Sequence, residues 1–298
     1  MTEKTVREVF EDAVRRLDAA GVPDAAWDAQ ELLTWAGGPD RTHFPLLKAA
    51  VLSEGAAARF EGGVRRRERR IPLQQITGTA WFMGLPFSVT EDVLCPRADT
   101  EVLAELALKR IGEKGLAEPR ILDLCCGSGC IGISLARFLP EAEIVLSDIS
   151  PKALALAKKN AERNAVTEQI SFALGDLLEA ETEDGITIRE QMSARPFDLI
   201  CCNPPYIPSE EINGLMPEVR DHEPALALDG GTDGLDFYRR LAAEMKKTED
   251  RAAPTFLLEI GCEQGAAVKE IFETAGAARV MIRKDLAGLD RVAEVDWS

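Results

Sequence analysis

At 298 residues and 46% apolar content, the chain can bury one large core and leaves room for a second small one, so two domains are expected. A formal net charge of -16 sets up a field that opposes docking on phosphate backbones, where affinity comes from Lys and Arg replacing counterions; nucleic acid is not expected as substrate. The opening MTEKTVREVFED lacks the apolar run of a signal peptide, no stretch approaches the roughly 18 apolar residues of a membrane span, and His43 and His222 are the only histidines. These features point to a cytoplasmic protein with no membrane partner, and they leave little material for a His-based metal site or a Ser-His-Asp device; no metal is expected.

In chain order, Val6, Val9, Phe10, Ala13, Val14 and Leu17 recur at helical spacing and are followed by Gly21 and Pro23, which predicts an amphipathic helix and its stop. Short patterns through Trp27, Leu32, Leu33 and Trp35, then Phe44 to Leu47, then Ser53 to Phe60, predict a small helical bundle that ends near residue 70. The aromatic stretch AWFMGLPFSV from Ala80 to Val89, broken by Gly84 and Pro86, predicts a hairpin. From residue 97 onward short apolar runs alternate with helical segments: Ile121 to Leu124, Ile144 to Leu146, Ile170 to Ala173, Phe197 to Cys202 and Phe256 to Ile260. That alternation predicts a doubly wound, mostly parallel α/β sheet covered on both faces. The acidic stretch Glu179 to Glu190 reads as a solvated insertion between the third and fourth of these strands.

Two motifs carry chemistry. Asp123-Leu-Cys-Cys-Gly127-Ser-Gly129 follows a strand and precedes a helix, where a glycine-rich turn admits a ligand against the backbone. Asp148 ends the next strand, where a carboxylate can accept the hydroxyls of a ribose, and Asp176 ends the third. Acids at three successive strand ends, without a GxGxxG pyrophosphate cradle, fit an adenosine ligand lacking phosphates, such as S-adenosylmethionine. The alternative is that Asp148 merely punctuates the helix opened by Ser150 and Pro151.

The second motif, Asn203-Pro204-Pro205-Tyr206, ends the fourth strand. An amide or aromatic amine nitrogen is a poor nucleophile because its lone pair is delocalised. The Asn203 side-chain oxygen and the Pro204 carbonyl can take its two N–H bonds, fixing the plane and favouring charge development on nitrogen. The prolines stiffen the loop, and Tyr206 offers a face for a planar group.

Taken together, these residues resemble the HemK/PrmC family of peptide chain release factor N5-glutamine methyltransferases. The resemblance is carried by Pro96-Arg-Ala-Asp-Thr-Glu101, DLCCGSGCIG from Asp123 to Gly132, NPPYIP from Asn203 to Pro208, Glu223-Pro-Ala-Leu-Ala-Leu-Asp-Gly-Gly231 with Gly234-Leu-Asp-Phe-Tyr238, and Asp285-Leu-Ala-Gly288 with Asp290-Arg291. NPPY alone is shared with adenine-N6 DNA and guanine-N2 RNA methyltransferases, which remain as the alternative; the flanking blocks favour the glutamine enzymes. The resemblance implies a seven-stranded Rossmann-like sheet over residues 96–298, a helical substrate-recognition bundle over 1–73, a hairpin linker over 74–95, and a monomer acting on class I release factors at a Gly-Gly-Gln loop. It further implies that Thr100, Asp123, Cys125, Cys126, Gly127, Ser128, Gly129, Asp148, Asp176, Leu177 and Asn203 line the S-adenosyl-L-methionine site, with Thr100 at the methionine carboxylate. Asn203, Pro204, Pro205 and Tyr206 would receive the glutamine, with Asn203, Pro204 and Tyr206 catalytic. Cys125 stands where the family usually has Gly, and Ala98-Asp99 where it usually has Pro-Glu.

Two further features are weighed. Cys125, Cys126 and Cys130 follow the first strand and Cys201 and Cys202 end the fourth, so five thiols are expected near one another, as small buried hydrophobes. Arg65, Arg66, Arg67, Arg69 and Arg70 form a basic run that reads as a solvated helix end or as a surface for RNA or an acidic partner.

Overall fold

The structure, a computed structural model, describes residues 4–246 and 254–297. It divides into two units, Met1–Thr79 with Met216–His222, and Ala80–Leu215 with Glu223–Ser298.

The first unit is helical: α1 (Val6–Ala19), α2 (Ala25–Trp35), α3 (Phe44–Leu47), α4 (Glu54–Glu68) and α5 (Leu73–Thr77). The start of α1 is fixed by a reciprocal cap, in which the Glu8 N–H donates to Thr5 Oγ1 at 3.3 Å and the Thr5 N–H donates to Glu8 Oε2 at 2.7 Å. Its buried Val6, Ala13 and Leu17 meet Leu32 and Leu33 of α2 and Phe60 and Val64 of α4 in one apolar cluster. Part of the basic run is consumed inside this unit, while Arg65, Arg66 and Arg69 stay exposed, as a solvated helix end would have them. Arg67 is buried between Asp28, at 2.6 Å, and Glu218, at 2.7 Å, and Arg70 pairs with the other oxygen of Glu218 at 2.6 Å. Arg65 pairs with Glu61, and Arg66 donates to the carbonyls of Gln75 and Ile76. These arginines draw Met216–His222 into the helical unit, helped by the Gln75 side chain donating to the His222 carbonyl at 2.8 Å.

The second unit opens with a two-stranded sheet, β1 (Thr79–Phe82) and β2 (Leu85–Ser88). Its two-residue turn, Met83-Gly84, has positive φ at both positions, the twist that suits a tight hairpin. There follow α6 (Glu101–Lys114), β3 (Arg120–Leu124), α7 (Cys130–Phe138), β4 (Glu143–Asp148), α8 (Pro151–Arg163), β5 (Ile170–Leu174), β6 (Glu181–Thr182), α9 (Ile188–Ala194) and β7 (Leu199–Cys202). After α10 (Pro217–Arg220), which belongs to the first unit, come α11 (Asp236–Met245), β8 (Thr255–Glu259), α12 (Gly265–Ala275), β9 (Arg279–Lys284) and β10 (Asp290–Asp296).

The large sheet has the order β6-β5-β4-β3-β7-β8-β10-β9, parallel from β5 through β8 and antiparallel at both margins. Alternate side chains of each strand feed two separate cores. Leu122, Val145, Ile200, Cys202, Phe256 and Leu258 point to α9, α11 and α12, while Ile121, Ile144, Leu146, Leu199, Cys201 and Leu257 point to α6, α7 and α8. This is the doubly wound α/β architecture that the alternating apolar runs predict, and those five runs fall in β3, β4, β5, β7 and β8. The sheet has eight strands rather than seven because β6, a two-residue antiparallel strand, is added at one edge. The acidic stretch supplies it, and the same stretch starts α9 through a Thr187–Glu190 cap and buries Ile188 and Met192, so it is not simply a solvated insertion. Among the described residues no helix is long and apolar enough to cross a membrane.

Removing one member of a buried charge cluster strands the others. Glu218→Ala should lower the unfolding free energy of the helical unit by roughly 3 kcal/mol, read as an earlier far-UV transition in urea. An unshifted transition would show that Arg67 and Arg70 do not depend on this carboxylate.

Candidate active site

Because β4, β3 and β7 are parallel and in register, Leu124 lies opposite Ser147 and Cys202, and the turns leaving all three strands emerge along one edge. A cavity of about 200 Å³ lies there. Its walls are Leu124 to Ser128 after β3, Ser147 to Ser150 after β4, Gly175 to Leu177 after β5, and Asn203 after β7. It is closed by Asp92 to Arg97 and Thr100 before α6, by Pro224, Leu226 and Ala227, and by Phe237 and Arg240 of α11.

The turn after β3 is tightly wound. Cys125 has φ of 60° and Gly127 of 54°, and a Cβ placed on Gly127 would meet nothing within 4 Å, so this backbone is open to a ligand. Cys125 therefore occupies a left-handed position that costs a side-chain-bearing residue roughly 1 kcal/mol or more. A Cβ on Gly132 would lie 2.3 Å from Leu146 Cδ2, so the first turn of α7 can sit against β4 only with glycine there.

Asp148 is held at the end of β4 by the Gly127 N–H donating to Oδ2 and the Ser150 N–H donating to Oδ1, both at 2.8 Å. Burial raises its pKa, and those N–H groups pull it back. Each oxygen keeps a lone pair for a further donor. Asp148 thus both punctuates α8 and faces the cavity. Asp176 also lines the cavity, where the Arg240 guanidinium pairs with it.

Asp123 and Gly129 do not line the cavity. The fully buried Asp123 accepts the Gly132 N–H at 2.8 Å through Oδ2, so it caps α7 from behind, and its Oδ1 has no partner among the described residues. Pro204 is buried, and Tyr206 faces away from the cavity toward the end of β8, where its hydroxyl donates to Glu259 Oε1 at 3.2 Å. Burial raises the Tyr206 hydroxyl pKa well above its usual value. Asn203 and Pro205 reach the cavity. The Asn203 amide nitrogen donates to Thr100 Oγ1 at 3.3 Å, which leaves Oδ1 without a partner among the described residues. Thr100, Cys125, Cys126, Gly127, Ser128, Asp148, Asp176, Leu177, Asn203 and Pro205 are thus brought around one space.

The loop after β7 is clamped from behind. Gln264 donates to the Tyr206 carbonyl at 2.8 Å, and added Cβ atoms on Gly230 and Gly234 would come within 2.8 Å of Tyr206 Cα and 2.3 Å of its carbonyl oxygen. These glycines of the 223–234 block exist to let that backbone approach. Glu223, whose side chain is fully buried, binds the Cys95 N–H at 3.1 Å and Arg97 at 2.6 Å, fixing the segment before α6. The sequence gives no role to Arg97, Glu223, Arg240 or Glu259; the available signals were the Pro beside Arg97 and Glu223 and the lone charge of Glu259 inside an apolar run.

The five thiols lie near one another, as expected, but the sheet divides them between two cores. Cys201 and Cys126 pack on one face of the sheet and Cys202 on the other, with Cys125 packed against that second core, because adjacent strand residues point to opposite sides. Burial raises the Cys126, Cys130, Cys201 and Cys202 pKa values above the ordinary thiol range.

The arrangement agrees with what known proteins show. The Methyltransferase small domain matches residues 99–216, and the fold is shared with the hMettl16 catalytic domain, solved in complex with MAT2A 3'UTR hairpin 6, at a TM-score of 0.56 and 16% identity over 72% of this chain and 76% of that one. The chain is a methyltransferase. The PrmC N-terminal domain matches residues 8–78. The release factor glutamine methyltransferase of Geobacter sulfurreducens is 39% identical over 98% of both chains, and that of Cereibacter sphaeroides 42% identical over 94% of both. This chain belongs to the release factor glutamine methyltransferase family, HemK/PrmC.

Burial pushes the Asp123 carboxyl up to about 7, with the Gly132 N–H pulling it down and Asp148 pushing it further up. Between the unfolded value of about 3.9 and that value, the folded state carries a proton that the unfolded state lacks. Asp123 therefore makes stability fall as pH rises through that window and leaves it level above. Asp123→Asn, which keeps an acceptor for Gly132, should remove this fall, so its stability relative to the parent should rise by roughly 2 kcal/mol or more from about pH 4 to pH 7 in urea titrations. A pH-independent difference would show that Asp123 ionises normally.

Proposed function

We propose that this protein transfers a methyl group from S-adenosyl-L-methionine to the side-chain amide nitrogen of the glutamine in the Gly-Gly-Gln motif of class I peptide chain release factors. The observation that carries the reading is Asn203, held by Thr100 with its amide oxygen left open beside a cavity whose floor is the Gly127 turn. Membership in the family and relatives named as release factor glutamine methyltransferases support the substrate class.

The donor set of the cavity suits the cofactor. Asp148 keeps lone pairs for ribose hydroxyls, the open backbone at Gly127 admits a close ligand, and Asp148 and Asp176 favour a cationic nucleoside over a phosphate-bearing one. Arg97 and Arg240, the guanidinium groups at the rim, are already paired with Glu223 and Asp176. Cys125 to Ser128, Asp148, Asp176 and Leu177 would hold the cofactor, which when bound supplies an electrophilic sulfonium methyl.

The chain's own groups do the rest. Asn203 Oδ1 and the Pro204 carbonyl accept the two N–H bonds of the substrate amide, fix its plane and stabilise positive charge as it develops on nitrogen. Thr100 keeps the Asn203 amide in the orientation that presents oxygen rather than nitrogen. Pro204 and Pro205 restrict the loop, so the acceptors need not reorganise. The helical unit is assigned recognition of the release factor around its Gly-Gly-Gln loop.

The test is mass spectrometry of purified release factor after incubation with the enzyme and S-adenosyl-L-methionine, with oligonucleotides run in parallel. The expected result is a gain of one methylene mass on the glutamine; label confined to nucleic acid would overturn the reading. Asn203→Ala should lower kcat by roughly 10²-fold while the cofactor Kd, measured by calorimetry, changes little. Full turnover in that variant would remove Asn203 from the mechanism.

A further inference from the structure

β8 reads Thr-Phe-Leu-Leu-Glu, and all five residues are buried, including the carboxylate that ends it. Glu259 is 2% exposed, yet its Oε2 has no hydrogen-bond partner among the described residues. A buried polar atom left unpaired costs roughly 1–3 kcal/mol, more when charged, and folding does not require it, since a leucine would extend the apolar run. Residues that break a local rule at such expense concentrate at functional sites.

What faces this carboxylate gives it a role. Tyr206, from the loop after β7, donates its hydroxyl to Oε1 at 3.2 Å. Thr100, from the turn before α6, lies against the same carboxylate and favours its ionised form, while its oxygen accepts the Asn203 amide at 3.3 Å. Arg291 of β10 favours the anion and is itself shared with Asp285 and Asp99. Asp99 disfavours it, the Cys130 thiol of α7 feels its charge, and Tyr238 of α11 donates to the Glu259 backbone carbonyl at 2.7 Å. One buried group therefore binds the Tyr206 hydroxyl directly and borders the Thr100 that holds the Asn203 amide.

We propose that Glu259 is a positioning residue for the transfer, anchoring the Tyr206 hydroxyl directly and the Asn203 amide through Thr100, so that the loop carrying Asn203 is held in one arrangement beside the cavity. The inference rests on the reading of Asn203 as an acceptor for the substrate amide. Ionised Glu259 accepts the Tyr206 hydroxyl and lies against Thr100; once protonated it carries a hydrogen of its own, and the arrangement of Tyr206 and Thr100 around it changes. Burial raises its pKa, so this change lies above the ordinary carboxylate range. Turnover at saturating cofactor should therefore fall as pH drops through that raised value.

Glu259→Gln preserves shape and one acceptor and removes the charge. It should lower kcat by about 10-fold with the cofactor KM within about 3-fold of the parent, and it should abolish the acid limb of the kcat profile. Tyr206→Phe should lower kcat as well, and the double variant should be no slower than the worse single one, because both lose the same anchor. Multiplicative losses, or an acid limb that survives in Glu259→Gln, would overturn the proposal.

A second readout needs no substrate. The chain has two tyrosines, so 3-fluorotyrosine labelling gives two fluorine resonances, and Tyr206→Phe identifies one of them. The Tyr206 resonance should move with pH in the acid range of the parent and stay still in Glu259→Gln; a resonance that behaves alike in both proteins sinks the anchor. If the parent does not methylate release factor at all, the assigned reaction falls, and the fluorine titration still decides for or against Glu259 as the anchor of this loop.

Discussion

Parallel pairing in register is the constraint on which the rest of the molecule depends. When β4, β3 and β7 run the same way and Leu124 stands beside both Ser147 and Cys202, the next residue of each strand must leave the sheet at the same edge. Cys125, Asp148 and Asn203 follow or end those strands, and although they are far apart in sequence, they are delivered to a single cavity. No side-chain contact is needed to bring them together. The hydrogen-bonded ladders do it, and the two apolar cores on either face hold the ladders in place.

That convergence is crowded, and the crowding shows in the backbone and the charges. Two residues without the freedom of glycine, Cys125 and Leu177, sit at positive φ along the cavity wall. Asp123, Asp148 and Glu259 bring three carboxyl groups to the same edge, and burial raises the pKa of each. They are not equivalent. Asp123 turns inward to cap α7, Asp148 turns outward to the cavity with its position set by two backbone N–H groups, and Glu259 stands behind the NPPY loop. Environment and direction give three chemically identical groups distinct jobs.

The helical unit solves a different problem with opposite charges. Its basic run could have been a surface, but Arg67 and Arg70 are spent on Glu218 and Asp28 and so bind the segment Met216–His222, which the chain reaches only after completing the NPPY loop. In a protein with a net charge of -16, five arginines within six residues would be expected to find carboxylates of their own chain, and four of them have intramolecular partners.

The sequence by itself determined what depends on near neighbours. Apolar periodicity marked α1 to α4 of the first unit and five strands of the sheet, though not α5 or α10, because a side chain's face is set by the two or four residues around it. The glycine-rich turn and the Pro-stiffened NPPY loop were legible for the same reason, since their geometry is imposed by local backbone chemistry. The edge strand β9 and its neighbour β10, in which charged residues interrupt the apolar ones, lacked that signature, and the two-residue β6 is too short to have one. Only the tertiary structure decided which way each polar side chain turns: that Asp123 caps a helix, that adjacent Cys201 and Cys202 enter opposite cores, that Tyr206 faces Glu259, and that Met216–His222 joins the helical unit. Apart from the Asp123–Gly132 cap, nine residues apart, these depend on contacts between residues tens of positions apart, and the energy of such a contact resides in the partner's position, which a linear pattern does not carry.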